Sequence, residues 1–340
     1  MSAELTALMT TFNSASYITE AIDSILAQSF TDFELLILDD GSSDETVELI
    51  KVFDDPRIRL IENQENKGVG FRLNQALRYI NSPYIVKTDA DDINLPERFE
   101  AQLSHLKLSG ADINKCYIEY FADSPSVANS ERFINFVQTK QPLLNSIDSS
   151  NKIHCELPRW LCFLHASYMA KTEAIKQAGY PAKRMFEDYG MFYRLLEKGY
   201  IFDCVASVLV KIRVSDTSIT ATASTGDLDE GMNTLVSIKW PYIAKLAQNG
   251  PLFIYGSGGG ARSLKRVLEQ RNMHIQGFIE KDKMPDAEVV EGLPVVTLDE
   301  TLYDCPAAKV IVAAQPVRAE VCAVLNHNAM LEWQDYIVIN

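Results

Sequence analysis

Three groups of carboxylates in this 340-residue sequence have the chemistry that a catalytic site needs. Asp39-Asp40 and the acidic run Asp89-Ala90-Asp91-Asp92 each follow an apolar segment, whereas Glu187-Asp188 opens a predicted helix. Carboxylate oxygens bind hard divalent cations, which neutralise a diphosphate and leave coordination positions open for its oxygens. A further carboxylate can take the proton from an attacking hydroxyl group. These residue types therefore suit group transfer from a diphosphate to a hydroxyl.

Each group also has a purely structural interpretation. Asp92 would cap the helix predicted to begin at Pro96, and Asp39-Asp40-Gly41 would end a strand in a turn. Asp188 would be a first-turn carboxylate that the helix dipole stabilises. The short motifs alone do not decide between the two interpretations, so their positions in the fold must.

Alternating strands and helices are predicted to position these groups. Short apolar runs indicate buried parallel strands, and apolar residues at helical spacing indicate the helices between them. The strands of the first half are predicted over residues 5–10, 33–38, 58–61 and 84–86. This alternation predicts a parallel sheet with helices on both faces, in which ligands bind beyond the carboxyl ends of the strands. The loops after Thr10, Leu38 and Thr88 lie at that end, so their polar residues should converge on one crevice.

Composition and charge exclude several classes of protein. With 32 basic and 46 acidic residues and a net charge of −14, the chain lacks the clustered Lys and Arg that nucleic acid binding needs. No apolar run approaches the roughly 20 residues of a membrane span. The six cysteines are scattered and form no Cys-x-x-Cys pair, which favours reduced thiols. We therefore expect a cytoplasmic protein, free or peripheral at the inner face of the membrane.

The order of the motifs closely resembles that of family-2 glycosyltransferases with the GT-A fold, over residues 3–215. The first half of the resemblance is carried by Leu8-Met9-Thr10-Thr11-Phe12-Asn13, Gln28-Ser29-Phe30, Leu38-Asp39-Asp40-Gly41-Ser42, Asn66-Lys67-Gly68, and Asp89-Ala90-Asp91-Asp92 with Leu95-Pro96-Glu97-Arg98. The second half is carried by the segment from His165 to Lys171, Gly179-Tyr180, Glu187-Asp188, and Arg213 with Ser218. The resemblance implies an inverting, metal-dependent transfer of a hexosyl or N-acetylhexosaminyl group from a nucleotide sugar.

The resemblance also implies roles for single residues. The residues that match the nucleotide-binding positions are Thr10, Phe12, Asp39, Asp40, Arg72 and Asp89. Asp91, with Asp89 beside it, matches the ligands of Mn²⁺ or Mg²⁺. Asp188 matches the catalytic base, which takes the proton of the acceptor. Many relatives have a His where this chain has Ser215, a departure that leaves more of the coordination to water or to the segment beyond.

The segment from Tyr117 to Leu164 departs most from the family pattern, so acceptor specificity is expected there. Its aromatic residues suit either a sugar platform or the core; they are Tyr117, Tyr120, Phe121, Phe133, Phe136 and Trp160. Residues 217–233 are rich in Ser, Thr, Gly and Asp. We interpret them as a mobile loop that closes over the donor.

The last ninety residues predict a small Rossmann-like α/β domain. Strands are predicted over residues 252–255, 274–279, 295–297, 309–313 and 336–339. Gly256, Gly258 and Ala261 form a Gly-x-Gly-x-x-Ala motif after the first of these strands, and Glu280 follows the second, which is much of a dinucleotide fingerprint. This pattern leaves two interpretations open, namely a second nucleotide site that takes NAD and a module for packing or homodimer formation.

The sequence therefore predicts an α/β protein in three parts: a GT-A glycosyltransferase domain over 1–215, a flexible loop and connecting helix over 216–249, and the Rossmann-like domain over 250–340. The expected function is sugar transfer from a nucleotide sugar, with UDP favoured, to a glycan or lipid-linked acceptor in surface polysaccharide synthesis. The alternatives are an NAD-dependent sugar-modifying oxidoreductase and a non-catalytic nucleotide-sugar-binding protein.

Overall fold

The structure is a computed structural model and describes residues 3–182, 185–216, 224–282, 289–314 and 317–339. The chain divides into two compact units, residues 1–222 and 223–340. The long helix Thr225–Asn249, which the sequence predicted as a connection, is counted within the second unit. Within the described residues, no helix is long and apolar enough to cross a bilayer.

The first half of unit 1 follows the predicted alternation. Its elements are β1 (Leu5–Thr11), α1 (Ile18–Leu26), β2 (Phe33–Asp39), α2 (Thr46–Lys51), β3 (Ile58–Ile61), α3 (Val69–Ala76), β4 (Tyr84–Asp89), β5 (Ile93–Asn94) and α4 (Arg98–Ser109). Helix α1 could be predicted from its apolar pattern, because Ile18, Ile22 and Ile25 are buried in the core at helical spacing. Strand β1 is an apolar run because its residues are buried on both faces of the sheet.

The second half of unit 1 is less regular. Its labelled elements are β6 (Ile113–Ala122), α5 (Pro125–Ala128), α6 (Glu131–Asn135), α7 (Gln141–Ser146), α8 (Ser150–Glu156), β7 (Tyr168–Lys171), α9 (Thr172–Ala178), α10 (Glu187–Glu197) and β8 (Phe202–Val214). A π-helical turn, Phe136–Lys140, lies between α6 and α7. Among the predicted aromatic platforms, Tyr120 and Trp160 belong to the core, with 6% and 5% of their surface exposed.

One eight-stranded sheet runs through unit 1 in the order β3-β2-β1-β4-β7-β6-β8-β5. Strands β1 to β4 are parallel, as predicted. The prediction of a wholly parallel sheet is wrong beyond them, because β7 runs antiparallel to both β4 and β6, and β5 runs antiparallel to β8. The chain order reverses between β1 and β4, and such a switch point opens a crevice at the carboxyl ends of the strands.

The predicted start of the helix after β4 is wrong for an identifiable reason. Pro96 is not the first helical residue, because the chain first adds the short strand β5 to the sheet and helix α4 begins at Arg98.

Unit 2 begins with α11 (Thr225–Asn249) and continues with a six-stranded sheet. The other elements are β9 (Leu252–Tyr255), α12 (Gly259–Gln270), β10 (Ile275–Glu280), β11 (Val289–Val290), β12 (Leu293–Thr297), α13 (Leu298–Asp304), β13 (Lys309–Val312), α14 (Arg318–His327) and β14 (Tyr336–Val338). The strand order is β11-β12-β10-β9-β13-β14, and the pairs are parallel except β11 with β12. Residue Lys239 of α11, fully buried, donates to the carbonyls of Val338 and Ile339 at 2.8 Å each.

The prediction of a mobile loop over residues 217–233 is wrong for residues 225–233. Residues 225–233 form the start of α11, and Ser224 caps this helix in a reciprocal pair of hydrogen bonds with Asp227. The polar composition that indicated a loop is therefore that of a capped helix start. Residues 217–223 lie outside the described residues, so closure over a donor stays a prediction.

Candidate functional site

The register of the central strands brings the predicted residues to one edge of the sheet. Thr10 in β1 pairs with Leu38 in β2 on one side and with Asp89 in β4 on the other. Asp40 follows directly, and its amide donates to the Thr11 carbonyl at 2.8 Å. Because neighbouring strands lie about 4.8 Å apart, the loops that follow these strands share one crevice. Phe12 lies in the first of these loops with 43% of its surface exposed.

Asp39 organises the turn that follows β2. Its carboxylate accepts hydrogen bonds from the amides of Gly41 and Ser42, at 2.9 and 3.0 Å, and from the Ser42 hydroxyl at 2.5 Å. Gly41 has a φ of +79°, and a Cβ there would lie 3.0 Å from the backbone of Glu65. The turn therefore requires a glycine, and Asp39 stabilises it in the way that the structural interpretation predicted.

Asp40 and Arg72 form a buried ion pair beside this turn. The Arg72 Nε donates to Asp40 at 2.5 Å, and the two side chains are only 4% and 7% exposed. Asp40 also accepts from the amides of Lys67 and Gly68, at 2.9 and 2.8 Å. The Arg72 guanidinium donates as well to the carbonyl of Glu65. The pair thus holds the 65–68 loop against the crevice, and any contact of Arg72 with phosphates stays a prediction.

Replacing Arg72 with methionine is expected to lower the free energy of unfolding by about 3–5 kcal/mol, because it leaves the Asp40 carboxylate buried without its cation. Urea denaturation measures this change. The matched control is Lys51→Met, since Lys51 and Glu62 form a pair whose side chains are 55% and 44% exposed, and such pairs contribute about 0–1 kcal/mol. Equal losses in the two variants would contradict the structural role of Arg72.

The carboxylates of the acidic run differ in their surroundings. Burial alone would raise the pKa of Asp89, but the ammonium of Lys87, which donates to its carboxylate, lowers that pKa below its ordinary value. Burial and the charge of Asp89 raise the pKa of Asp91 to about 6. Burial and the charge of Asp91 raise the pKa of Asp92 well above its usual range, although Asp92 accepts a hydrogen bond from the Arg213 amide at 2.9 Å. Negative charge is therefore crowded around Asp91.

Arg213 of β8 contacts the acidic run through its side chain and its amide. Its Nε donates to the Asp91 carbonyl at 2.9 Å, and its Nη2 pairs with Glu20. The guanidinium lies over the rings of Tyr17 and Phe121, at 4.6 and 4.5 Å from their centroids. Arg213 therefore binds the backbone of the run and leaves the Asp91 carboxylate without a hydrogen bond from another described residue.

Glu187 and Asp188 lie in the first turn of α10, and the charge of Asp89 acts on Asp188. The Tyr189 amide donates to Asp188 at 2.7 Å. Burial, together with the charge of Asp89, raises the pKa of Asp188 to about 6, against the opposing effects of the Tyr189 amide and the Lys140 ammonium. Phe186, immediately before this pair, has a φ of +60°, a conformation rare for a bulky residue and often found at functional sites.

Comparisons with known proteins agree with this geometry. The family model described as glycosyl transferase family 2 matches residues 6–160. An uncharacterized glycosyltransferase of Methanocaldococcus jannaschii is 30% identical over 213 residues, which are 61% of this chain and 69% of that protein. The chain belongs to glycosyl transferase family 2.

Other relatives of this glycosyltransferase match shorter segments. The Escherichia coli enzyme WfgD, a UDP-Glc:alpha-D-GlcNAc-diphosphoundecaprenol beta-1,3-glucosyltransferase, is 37% identical over 97 residues, which are 28% of this chain and 38% of WfgD. The succinoglycan biosynthesis protein ExoO of Rhizobium meliloti is 34% identical over 110 residues, 32% of each chain. The chain thus spans about a third of these two relatives.

Solved structures support the GT-A fold of this glycosyltransferase. The structure of S. aureus TarS residues 1–349 in complex with UDP-GlcNAc superposes with a TM-score of 0.54 at 14% identity, covering 80% of this chain and 74% of that one. The Pyrobaculum calidifontis mannosyltransferase PcManGT, in complex with GDP-Man and Mn²⁺, has a TM-score of 0.51 at 19% identity, covering 72% and 65%. At these identities the likeness shows the fold alone.

Three buried residues support the site of this glycosyltransferase and were not assigned roles from the sequence. Lys87 and Arg98 are fully buried, and the Arg98 guanidinium donates to the Lys87 carbonyl at 2.9 Å from beneath β4. Burial lowers the pKa of His165 to about 3, and its buried Nε2 has no hydrogen bond to any residue that the structure describes. The lysine inside the apolar run of β4 could have indicated this arrangement from the sequence, because a buried ammonium must be paired.

Hydrogen bonds of Asn74, Tyr168 and Tyr180 connect the second half of unit 1 to the first half. Asn74 of α3 donates to the Tyr180 carbonyl at 2.8 Å and accepts from its amide at 2.9 Å. The Tyr180 hydroxyl bonds that of Tyr168 at the start of β7. These contacts connect Tyr180 to α3 and to β7.

The glycine motif of unit 2 has the predicted placement. Gly256 follows β9 with a φ of +102°, and Gly258 precedes α12. Glu280 ends β10 and accepts a hydrogen bond from the Ser257 hydroxyl at 2.6 Å. Binding of NAD or another nucleotide there, and a homodimer formed through this unit, stay predictions.

Proposed function

We propose that this chain catalyses the inverting, metal-dependent transfer of a hexosyl or N-acetylhexosaminyl group from a UDP-sugar to a hydroxyl of a glycan or lipid-linked acceptor. One observation carries the proposal. The charge of Asp89 raises the pKa of both Asp91 and Asp188, so the three carboxylates influence one another. A single-displacement transfer needs these two functions, a place for the diphosphate and a base for the acceptor.

The acidic run fits a divalent cation. Hard cations prefer carboxylate oxygens, and the raised pKa of Asp91 marks a place where added positive charge would relieve repulsion. Within the described residues, no three Asp, Glu, His or Cys side chains form a complete metal site. Asp91 and Asp89 would therefore hold Mn²⁺ or Mg²⁺ together with donor oxygens and water. Such an ion stabilises the departing diphosphate.

The donor nucleotide would occupy the loops after β1 and β2. Phe12 offers an exposed ring for stacking, and Thr10 lies at the strand end beside Asp89. The complex of TarS with UDP-GlcNAc supports a UDP-sugar as the donor. The complex of PcManGT with GDP-Man supports a GDP-sugar as the alternative donor. Calorimetry with UDP, GDP and dTDP, each with Mn²⁺ and with EDTA, tests the proposal. Binding of none of the three would refute it.

Asp188 is the residue proposed to take the acceptor proton. The Tyr189 amide orients its carboxylate and leaves the second oxygen for the acceptor hydroxyl. A base works best when its pKa lies near the working pH while it remains ionised. A pKa of about 6 meets both conditions at neutral pH.

The rate of transfer should rise with pH and level off above about pH 6, because Asp188 must be ionised to act and its pKa is raised to about 6. Well below that value the rate should fall about tenfold per pH unit. Initial rates between pH 4.5 and 8 measure the profile. Since protonation of Asp91 would also weaken metal binding, UDP affinity is measured over the same range. A rate that follows UDP affinity alone would contradict the assignment to Asp188.

The acceptor is proposed from relatives and from the segment 117–164. WfgD acts on GlcNAc-diphosphoundecaprenol, and ExoO is a succinoglycan biosynthesis protein. Both support an acceptor used in surface polysaccharide synthesis. The segment supplies Phe136, whose ring packs against Tyr120 with centroids 5.0 Å apart, and a partly exposed aromatic ring suits a sugar face.

A further inference from the structure

Two motifs of the family pattern, Gln28-Ser29-Phe30 and Leu95-Pro96-Glu97-Arg98, have no role in the proposed reaction, and Arg98 of the second motif is fully buried. Arg98 begins α4, shortly after the strand β5 that follows the acidic run. An arginine without access to solvent is unusual, because its five N–H groups must find acceptors inside the protein. The acceptors of Arg98 therefore indicate its role.

The guanidinium of Arg98 bonds both ends of the acidic run. Its Nη2 donates to the Lys87 carbonyl in β4 at 2.9 Å, and its Nη1 donates to the side-chain oxygen of Asn94 in β5. Lys87 lies two residues before Asp89, and Asn94 lies two residues after Asp92. One planar group therefore fixes the two strands between which the acidic run turns.

The other bonds of Arg98 attach this clamp to the core. Its Nε donates to the side-chain oxygen of Gln102, one turn further along α4, at 2.9 Å, and its Nη2 also reaches the Tyr168 carbonyl of β7 at 3.3 Å. Gln102 is itself fully buried. A lysine would keep the charge but present it on a single nitrogen, so it cannot reproduce this fork of bonds. The position therefore requires an arginine in particular.

Gln28, in the other motif, holds the beginning of α4 in place. Its side-chain amide donates to the Leu95 carbonyl at 2.8 Å and accepts from the Phe99 amide at 3.0 Å, and only 3% of its surface is exposed. The Ser29 amide donates to the Pro96 carbonyl at 2.8 Å. Both motifs therefore meet at one turn, between the acidic run and the helix.

We propose that Arg98 is a positioning residue for the cation site of the acidic run, because it sets the conformation of the turn that carries Asp89 and Asp91. The inference rests on the proposed function, since it assumes that the run holds Mn²⁺ or Mg²⁺. Arg98 does not touch the ion, because its buried guanidinium is engaged by protein oxygens. Loss of such an outer contact typically weakens metal binding about 10–100-fold.

The variant Arg98→Lys separates this role from support of the fold. Calorimetry measures the affinity of the full chain for UDP with Mn²⁺ and with EDTA, and the ratio of the two is the gain that the metal gives. In Arg98→Lys this gain should fall by about tenfold or more. Its UDP affinity in EDTA should match that of the wild-type protein, because Thr10 and Phe12 belong to β1 and the loop after it.

The matched control is Lys115→Met in β6. Lys115 is also a buried cation, 3% exposed, and its ammonium donates to the carbonyls of Leu144 and Cys162 at 2.6 and 3.3 Å. This variant should lower the melting temperature and leave the metal gain at its wild-type value. If Arg98→Lys does not fold, Asn94→Ala replaces it, since it removes the bond at the β5 end and keeps the guanidinium. The gain should fall there as well.

Two results would overturn the positioning role while the proposed function stands. One is a metal gain in the folded variant equal to that of the wild-type protein. The other is an equal loss of UDP affinity with Mn²⁺ and with EDTA, because that loss would reflect a general effect of the fold. Failure of the proposed function looks different: the wild-type protein itself would bind UDP equally with Mn²⁺ and with EDTA, which removes the cation site and the role of Arg98 with it.

Discussion

Replacing Asp188 with asparagine is expected to lower the rate of sugar transfer by a factor of about 10²–10⁴ and to leave UDP affinity nearly unchanged. The substitution keeps the size of the side chain and an oxygen that can accept the hydrogen bond from the Tyr189 amide. It removes the ionised oxygen with which Asp188 is proposed to take the acceptor proton. Steady-state kinetics and calorimetry with UDP measure the two quantities separately.

A matched control separates catalysis from helix stability. Glu173 occupies the first turn of α9, as Asp188 does in α10. Both would interact favourably with a helix dipole, so Glu173→Gln removes a first-turn charge of the same kind and should leave transfer intact. Full activity in Asp188→Asn would remove Asp188 from the role of base. A loss of UDP binding equal to the loss of rate would instead indicate a structural or donor-binding role.

Replacing Asp91 with asparagine should weaken metal-dependent UDP binding by at least about tenfold, or about 1.4 kcal/mol. The metal-free protein should not become less stable. Because the pKa of Asp91 is raised, its protonated form is favoured in the folded state, and the stability it contributes is lost as the pH rises from about 4 to about 6. At pH 7 its charge therefore opposes folding, so an uncharged asparagine should hold or raise the melting temperature.

Calorimetry and thermal denaturation with Mn²⁺ and with EDTA test this combination. The wild-type protein in EDTA should bind UDP as weakly as Asp91→Asn does with metal. A variant that melts at a lower temperature and binds UDP in Mn²⁺ as tightly as the wild-type protein would show that Asp91 is a structural residue. Such a trade of stability for function is common where like charges are held together for a ligand.

The elements of the first half were predictable because local pattern and tertiary position agree. Strands buried on both faces are continuous apolar runs, and α1 presents one apolar face. The order of polar residues after those strands was enough to place Thr10, Asp40 and Asp89 at one sheet edge. Antiparallel β7 and the two-residue strand β5 were not predictable, because their pairing depends on partners distant in the chain.

The distribution of charge within the site was only partly predictable. The sequence indicated the candidate carboxylates. It did not indicate that Lys87 neutralises Asp89 while the Asp91 carboxylate pairs with no cation among the described residues. Likewise, Arg72 was expected near phosphates, whereas its guanidinium is occupied by Asp40 and by the 65–68 loop. Ion pairs between residues far apart in the chain follow from packing, which periodicity does not report.

We propose that Asp91 and Asp188 together support the breaking of a nucleotide-sugar bond with inversion. The decisive measurement is incubation of the full chain with UDP-glucose, GDP-mannose or dTDP-glucose, without an acceptor and with either Mn²⁺ or EDTA. Proton NMR follows the first sugar released. We expect slow, Mn²⁺-dependent hydrolysis of the UDP-sugar that gives the β-anomer from the α-linked donor and is lost in Asp188→Asn. Release of the α-anomer, or hydrolysis that is equal in EDTA, would refute the proposal.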